Sequence, residues 1–168
     1  AVAGLSSVSA LDLGCGTGLC GPLVRPLTRH LCGVDLSPRM LEQARALGVY
    51  DQLACADVVE YLVHADTRFD LVLAADVFIY IGDLAPVFHA VRQAMDHGVF
   101  CFSIEACKDD RVGFRLTPSL RFAHDANYLR RLAIQHGFDV IALQHDRVRE
   151  DQQTNVDGLY VYLRAQPR

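Results

Sequence analysis

LDLGCGTG, Leu11 to Gly18, is the stretch on which the reading of this chain turns. Leu11 and Leu13 end a short apolar run, Val8 to Leu13, that glycines then stop, so the run reads as a buried strand. Gly14, Gly16 and Gly18 follow that strand and open a helix, where backbone without side chains can turn sharply and come close to a ligand. Asp12 stands two residues before the first glycine. Asp35, about 20 residues further on, ends the next strand, where a carboxylate can hold ribose hydroxyls.

Two ligands suit that layout. A nicotinamide dinucleotide site needs G-x-G-x-x-G and rests its pyrophosphate on the helix N-terminus, but here Leu19 occupies the sixth position. S-adenosylmethionine has no phosphate and carries an amino group, and Asp12 suits a cationic amine better than an anion.

Working outward, strand and helix alternate. A short helix starts at about Leu19, with Leu19, Leu23, Val24 and Leu27 on one side and Pro26 placed to bend or end it. A strand covers His30 to Val34. Ser37 caps a helix with Pro38 in its first turn and Gly48 at its end, and Met40, Leu41, Ala44 and Leu47 form its apolar stripe. Further strands are expected at Gln52 to Cys55, Phe69 to Ala75, Val99 to Ile104, Asp139 to Leu143 and Leu159 to Leu163. Helices are expected from Asp57 to His64, after the cap Asp83, and from Ala126 to His136. The pattern predicts a doubly wound α/β domain with a mostly parallel sheet covered on both faces. Between Ile104 and Ala126 lies a long segment without a clear period, and loops of that length are usually functional or partly disordered.

The 168 residues suit one domain, read here as a single unit over 1–168 that is entered part-way at its N-terminus, since a strand begins within ten residues of Ala1. Hydrophobic residues make up 51% and charged residues 21%, the balance of an ordinary globular protein. A net charge of −4 argues against a broad nucleic-acid footprint, which needs a basic face. No apolar run approaches the roughly 20 residues that cross a bilayer, and the opening AVAGLSSVSA has no basic n-region. None of the six cysteines forms a C-x-x-C pair, so reduced thiols in a cytoplasmic protein are expected, and the histidines show no metal-ligand spacing.

Four stretches in order resemble the class I S-adenosylmethionine-dependent methyltransferases across nearly the whole chain: LDLGCGTG, VDLSPRMLEQA (Val34 to Ala44), CADVVEYL (Cys55 to Leu62) and FDLVLAADVFIYIGDL (Phe69 to Leu84). RLTPSLRFAHDANYLRRLA (Arg115 to Ala133) is similar to a bacterial subgroup that often carries tetratricopeptide repeats upstream, although this chain contains none. The resemblance implies a Rossmann-like sheet of seven strands whose last, Leu159 to Leu163, is antiparallel and inserted beside the fifth. It implies S-adenosylmethionine as cofactor, leaving S-adenosylhomocysteine as product. Backbone at Gly14, Cys15 and Gly16 would meet the methionine end, Asp35 the ribose, and Leu36 and Met40 the adenine face. Asp57 would accept from the adenine amino group, the Val58 amide would meet a ring nitrogen, and Ala74 or Ala75 would offer a carbonyl to the ammonium.

Each assignment has a plainer rival. Asp57 can simply cap the following helix, and Leu36 and Met40 can be core. Tyr80 is the candidate for lining the transfer site, with Phe78 beside it, although either can close the core instead. In the stretch Arg111 to His124, Arg111, Arg115 and Arg121 would meet an anionic group on the acceptor, and His124, with a reference pKa near 6.5, would serve as a base. A solvated basic loop is the alternative. An adenine or cytosine amino methyltransferase of the common type would show (N/D)-P-P-(Y/F) after the fourth strand, where AADVF stands instead. The acceptor expected first is therefore a small molecule, and second a protein. A cofactor-binding regulatory module without turnover is the rival function, and a nicotinamide-dependent oxidoreductase the third reading.

Overall fold

A computed structural model describes residues 9–108, 112–151 and 154–167. Five parallel strands open the sheet: β1 (Ser9–Leu13), β2 (His30–Asp35), β3 (Gln52–Cys55), β4 (Leu71–Ala74) and β5 (Val99–Cys107), in the order β3-β2-β1-β4-β5. β9 (Thr154–Ala165) runs antiparallel along β5, from Val99↔Arg164 to Glu105↔Gly158, and pairs on its other edge with β8 (Phe138–Asp151). The expected antiparallel last strand beside the fifth is thus present. The chain reverses direction between β1 and β4, and ligands of open α/β sheets sit at such a switch point, outside the carboxyl ends of the strands.

Two strands were not expected. β6 (Phe114–Leu116) and β7 (Phe122–Asp125) form a hairpin within the aperiodic segment, bringing the sheet to nine strands. β7 runs parallel to β5 at Glu105–Cys107. Glu105 pairs with Ala123 on one side and Gly158 on the other, so β7 occupies the edge of β5 that β4 borders lower down. The hairpin therefore starts where β4 stops, beside the crevice.

Three helices, α3 (Val58–Val63), α4 (Ala85–Gln93) and α5 (Ala126–Gln135), bury one face of the sheet. Their apolar stripes (Leu62, Val87, Val91, Leu129, Leu132) meet Leu11, Val34, Val72 and a group of aromatic rings. Phe100 lies 4.8 Å from Phe102, 5.6 Å from Phe88 and 5.9 Å from Phe138 between ring centroids, edge-on to Phe88 and tilted against the other two. On the opposite face the described core is smaller: Ala10, Leu31, Leu71 and Val99, with Val24, Tyr50 and Cys101 packed against them.

The first helix is short, as Pro26 predicts, but it starts at Gly21 rather than Leu19. α1 covers only Gly21–Val24 and passes into a 3-10 turn at Arg25–Leu27, because Pro22 and Pro26 together leave no room for a longer ladder. Leu19 and Leu23 are 83% and 75% exposed, so the expected apolar stripe buries little. α2 (Pro38–Ala46) forms as expected, with the Ser37 hydroxyl accepting from the Met40 amide. β8 and β9 extend well beyond the apolar cores expected for them, into polar sequence such as the exposed Gln144, His145 and Asp146.

Candidate active site

The turn after β1 is built on Asp35. Its Oδ2 accepts from the Gly16 amide at 2.9 Å and its Oδ1 from the Ser37 amide at 2.8 Å, tying the glycine turn to the start of α2. Each carboxylate oxygen has a second lone pair, so the half-buried Asp35 keeps capacity to hold hydroxyls. Other amides of the turn are also engaged: Cys15 with the Val34 carbonyl, Gly18 with the Cys15 carbonyl, Gly21 with the Gly18 carbonyl. Gly14, Gly16 and Gly18 all have positive φ (62°, 55°, 87°), the conformation for which glycine is suited. At Gly14 there is a further constraint, because an added Cβ would lie 2.5 Å from a Val77 methyl. At Gly16 it would meet only Met40 Sδ, at an ordinary contact distance of 3.6 Å.

Beneath the turn lies Asp12, 2% exposed, whose Oδ2 accepts from the Tyr50 hydroxyl at 2.7 Å. Burial raises its pKa to about 6; the Tyr50 hydrogen bond lowers it in part, and the neighbouring Asp35 charge pushes it up again. At neutral pH the carboxylate is therefore mostly ionised. Burial, with the charges of Asp12 and Asp35, also pushes the Cys15 thiol up to about 12, so it stays protonated.

Leu36 and Met40, expected on the adenine face, follow Asp35 in the chain. Leu36 and Met40 are 69% and 45% exposed, which excludes the core role for both. Asp57 does cap α3, its Oδ1 accepting from the Val59 and Glu60 amides at 2.8 and 3.1 Å. That leaves its Oδ2, and the first-turn amide of the buried Val58, which has no partner inside a helix. At the end of β4, Ala74 is buried and paired with Phe102, whereas Ala75 is exposed.

Residues 75–84, after β4, are clamped from several sides. The Asp76 amide donates to Ser103 Oγ at 2.9 Å, and Asp76 itself sits at φ 57°, a left-handed conformation that costs a non-glycine residue on the order of 1 kcal/mol. His124 Nε2 lies 3.0 Å from the carbonyls of both Ile81 and Gly82. The Tyr128 hydroxyl donates to Asp83 Oδ1 and accepts from the Leu84 amide, both at 2.8 Å. Phe78 is fully buried and closes the core, while Tyr80 of the same 3-10 turn, Phe78–Tyr80, is 69% exposed.

The geometry gives the base role of His124 no support. Carbonyls only accept, so Nε2 carries the proton, and the acceptor Nδ1 is buried without a partner among the described residues. The ring is fully buried, and burial lowers its pKa against the upward pull of the two carbonyls, so it stays neutral. His124 is a strut for the turn that carries Tyr80. Sequence reasoning also missed Ser103 and Tyr50, whose single hydroxyls leave no motif. Arg115 is exposed and Arg121 half-buried on the β6–β7 hairpin; Arg111 lies outside the described residues. No group of His, Cys, Asp and Glu among the described residues is arranged to hold a metal ion, and all six cysteines are free.

Comparison with known proteins matches this architecture. A methyltransferase-domain family matches residues 11–101, just over half of the chain. Methyltransferase-like protein 27 of Homo sapiens is 46% identical over 69 residues, 40% of this chain and 28% of that protein. Nodulation protein S of Bradyrhizobium diazoefficiens is 28% identical over 88 residues, 52% of this chain and 42% of that protein. The chain thus spans less than half the length of these curated relatives. Among solved structures, the N-methyltransferase NodS of Bradyrhizobium japonicum in complex with S-adenosyl-L-homocysteine shares the fold with a TM-score of 0.73 at 17% identity, over 95% of this chain and 78% of that one. With the fold, the switch-point crevice and the matched segment in agreement, the chain belongs to the methyltransferase-domain family and has the fold of the class I S-adenosylmethionine-dependent methyltransferases.

Proposed function

We propose that this domain binds S-adenosylmethionine in the crevice between β1, β2 and β4 and transfers its methyl group to a small-molecule acceptor. One observation carries the cofactor reading. The amides of Cys15 and Gly16, which a pyrophosphate would need, are engaged by Val34 and Asp35, and a mostly ionised carboxylate lies beneath them. The turn therefore favours a cationic ligand over an anionic one.

S-adenosylmethionine, when bound, supplies a methyl carbon activated by a positively charged sulfur. The chain supplies position and electrostatics. Asp35 grips the ribose hydroxyls, Leu36 and Met40 cover the adenine, and Asp57 Oδ2 with the Val58 amide reads its polar edge. Asp12 and backbone at Gly14, Cys15 and Gly16 favour the positively charged amino-acid end, which a carbonyl of Ala74 or Ala75 completes. Tyr80, displayed by the clamped turn, lines the path to the acceptor. Holding the reactants in line and excluding water can itself contribute several kcal/mol, roughly 7 or more in favourable cases. A base is required only where the acceptor must lose a proton.

The small-molecule acceptor is supported by the net charge of −4 and by AADVF in place of a base-reading motif. The hairpin arginines Arg115 and Arg121 favour an acceptor with an anionic group; a protein acceptor is the second choice. No helix among the described residues is long and apolar enough to cross a membrane. The six free cysteines support a cytoplasmic setting. Membership of the subgroup that carries tetratricopeptide repeats rests on Arg115 to Ala133 alone.

Calorimetry of Asp35→Ala tests the site: affinity for S-adenosylhomocysteine should fall by about tenfold or more, as for a lost charge-assisted hydrogen bond. Unchanged affinity removes Asp35 from the site. Turnover separates an enzyme from a binding module. Formation of S-adenosylhomocysteine on addition of a low-molecular-mass cell fraction supports the acceptor class, and formation only with the protein or nucleic-acid fraction contradicts it.

A further inference from the structure

The peptide joining Ala75 to Asp76 is fixed in one orientation, and the side chain that fixes it belongs to a neighbouring strand. Asp76 donates its amide to Ser103 Oγ at 2.9 Å, and Ser103 lies on β5. β4 stands between β1 and β5 in the sheet. No described peptide bond is cis, and in a planar trans peptide the N–H and C=O groups point in opposite directions. With the Asp76 N–H drawn toward β5, the Ala75 carbonyl is turned away from it, to the side of β1 and its glycine turn.

Two further observations agree. Val77 packs so closely against Gly14 that no Cβ fits between them, which keeps the end of β4 and the glycine turn adjacent. Asp76 sits at a positive φ of 57°, and Ser103, which holds its amide there, is only 9% exposed. Ala75 and Ser103 also share a cleft of about 120 Å³ with Leu73, Cys101, Tyr160 and Tyr162. The carbonyl side of the peptide lies opposite that cleft.

We propose that Ser103 is a positioning residue for cofactor binding: by holding the Asp76 amide it aims the Ala75 carbonyl at the ammonium of the cofactor's amino-acid end. Ala75, not the buried and strand-paired Ala74, then provides the acceptor. This role rests on the S-adenosylmethionine reading above. Its mark is selectivity, because only ligands with the amino-acid end should feel the loss of Ser103.

The test is calorimetric titration of the chain with S-adenosylhomocysteine and with 5′-methylthioadenosine, which keeps the adenosine and sulfur but lacks the amino acid. Ser103→Ala should weaken S-adenosylhomocysteine by about tenfold and change methylthioadenosine by less than about twofold, the size of effect expected for one misplaced hydrogen bond to a charged group. Ser103→Thr, which keeps the hydroxyl, should restore the wild-type ratio. Ser103→Val fills the same space as threonine without a hydroxyl, so that pair reads the hydrogen bond even where Ser103→Ala fails to fold. Equal losses for both ligands, or none for either, overturn the role of Ser103 alone. A wild-type chain that binds neither ligand overturns the cofactor reading and this proposal with it.

Discussion

Asp12 shows what burying a carboxylate does to stability. It lies in the middle of a buried strand pair, opposite Gly33 and Leu73, with one hydroxyl partner and a second carboxylate nearby. Its pKa is raised from an ordinary 3.8 to about 6, chiefly by burial. Between those values the folded protein holds a proton that the unfolded chain has released. Stability is therefore greatest below the window and falls as pH rises through 6, by about 3 kcal/mol for a shift of this size. Asp12→Asn keeps the acceptor for Tyr50 and removes the charge. Urea unfolding should show it more stable than wild type by about 1–2 kcal/mol at pH 8, with the difference roughly halved near pH 5 and gone only below about pH 4. A difference independent of pH would mean that Asp12 is not the buried charge described. The same substitution should weaken S-adenosylhomocysteine at pH 8, and wild-type affinity should fall as Asp12 protonates below pH 6.

At the scale of elements, the turn after β4 is a scaffold assembled from parts far apart in sequence. His124 of β7 pins the carbonyls of Ile81 and Gly82, and Tyr128 of α5 pins Asp83 and Leu84. Replacing His124 with Phe keeps an aromatic ring but strands two carbonyls, and should cost about 2 kcal/mol in denaturant unfolding. Its effect on turnover should be a uniform loss without a change in the shape of the pH profile. Disappearance of a titration near neutrality would restore the base role. Gly14 and Val77 make the other joint. Gly14→Ala places a Cβ 2.5 Å from a Val77 methyl at φ 62° and should destabilise by about 2–3 kcal/mol. Val77→Ala in the same chain should return part of that loss, leaving the backbone strain. A double-mutant cycle in which the two effects simply add would show that the contact does not govern the joint.

At the scale of the molecule, the first five strands and most helices were legible because each apolar run or stripe is bounded by its own turn chemistry. Ser37 and Asp57 cap helices where the sequence placed caps, whereas Asp83, expected to cap α4, stands one residue before its N-cap Leu84. What escaped was held by distant partners. The β6–β7 hairpin has only three and four residues in its strands; Phe114, Leu116, Phe122 and His124 around Thr117-Pro118-Ser119 are its one local signal. β8 and β9 run on through polar sequence because a two-stranded ribbon needs no buried face of its own beyond the sheet. Leu19 and Leu23 carried a helical period that two prolines cut short. Of the candidate site, Gly14 to Gly16, Asp12 and Asp35 were proposed from spacing, whereas the contacts of Ser103 and Tyr50 emerged only once β5 and the segment before β3 had been placed. The whole assembly rests on an electronegative turn that prefers a cation. Parallel calorimetric titrations of the wild-type chain with S-adenosylhomocysteine and with a nicotinamide dinucleotide test that most directly: the former should bind and the latter give no heat, whereas dinucleotide binding without S-adenosylhomocysteine binding would contradict it.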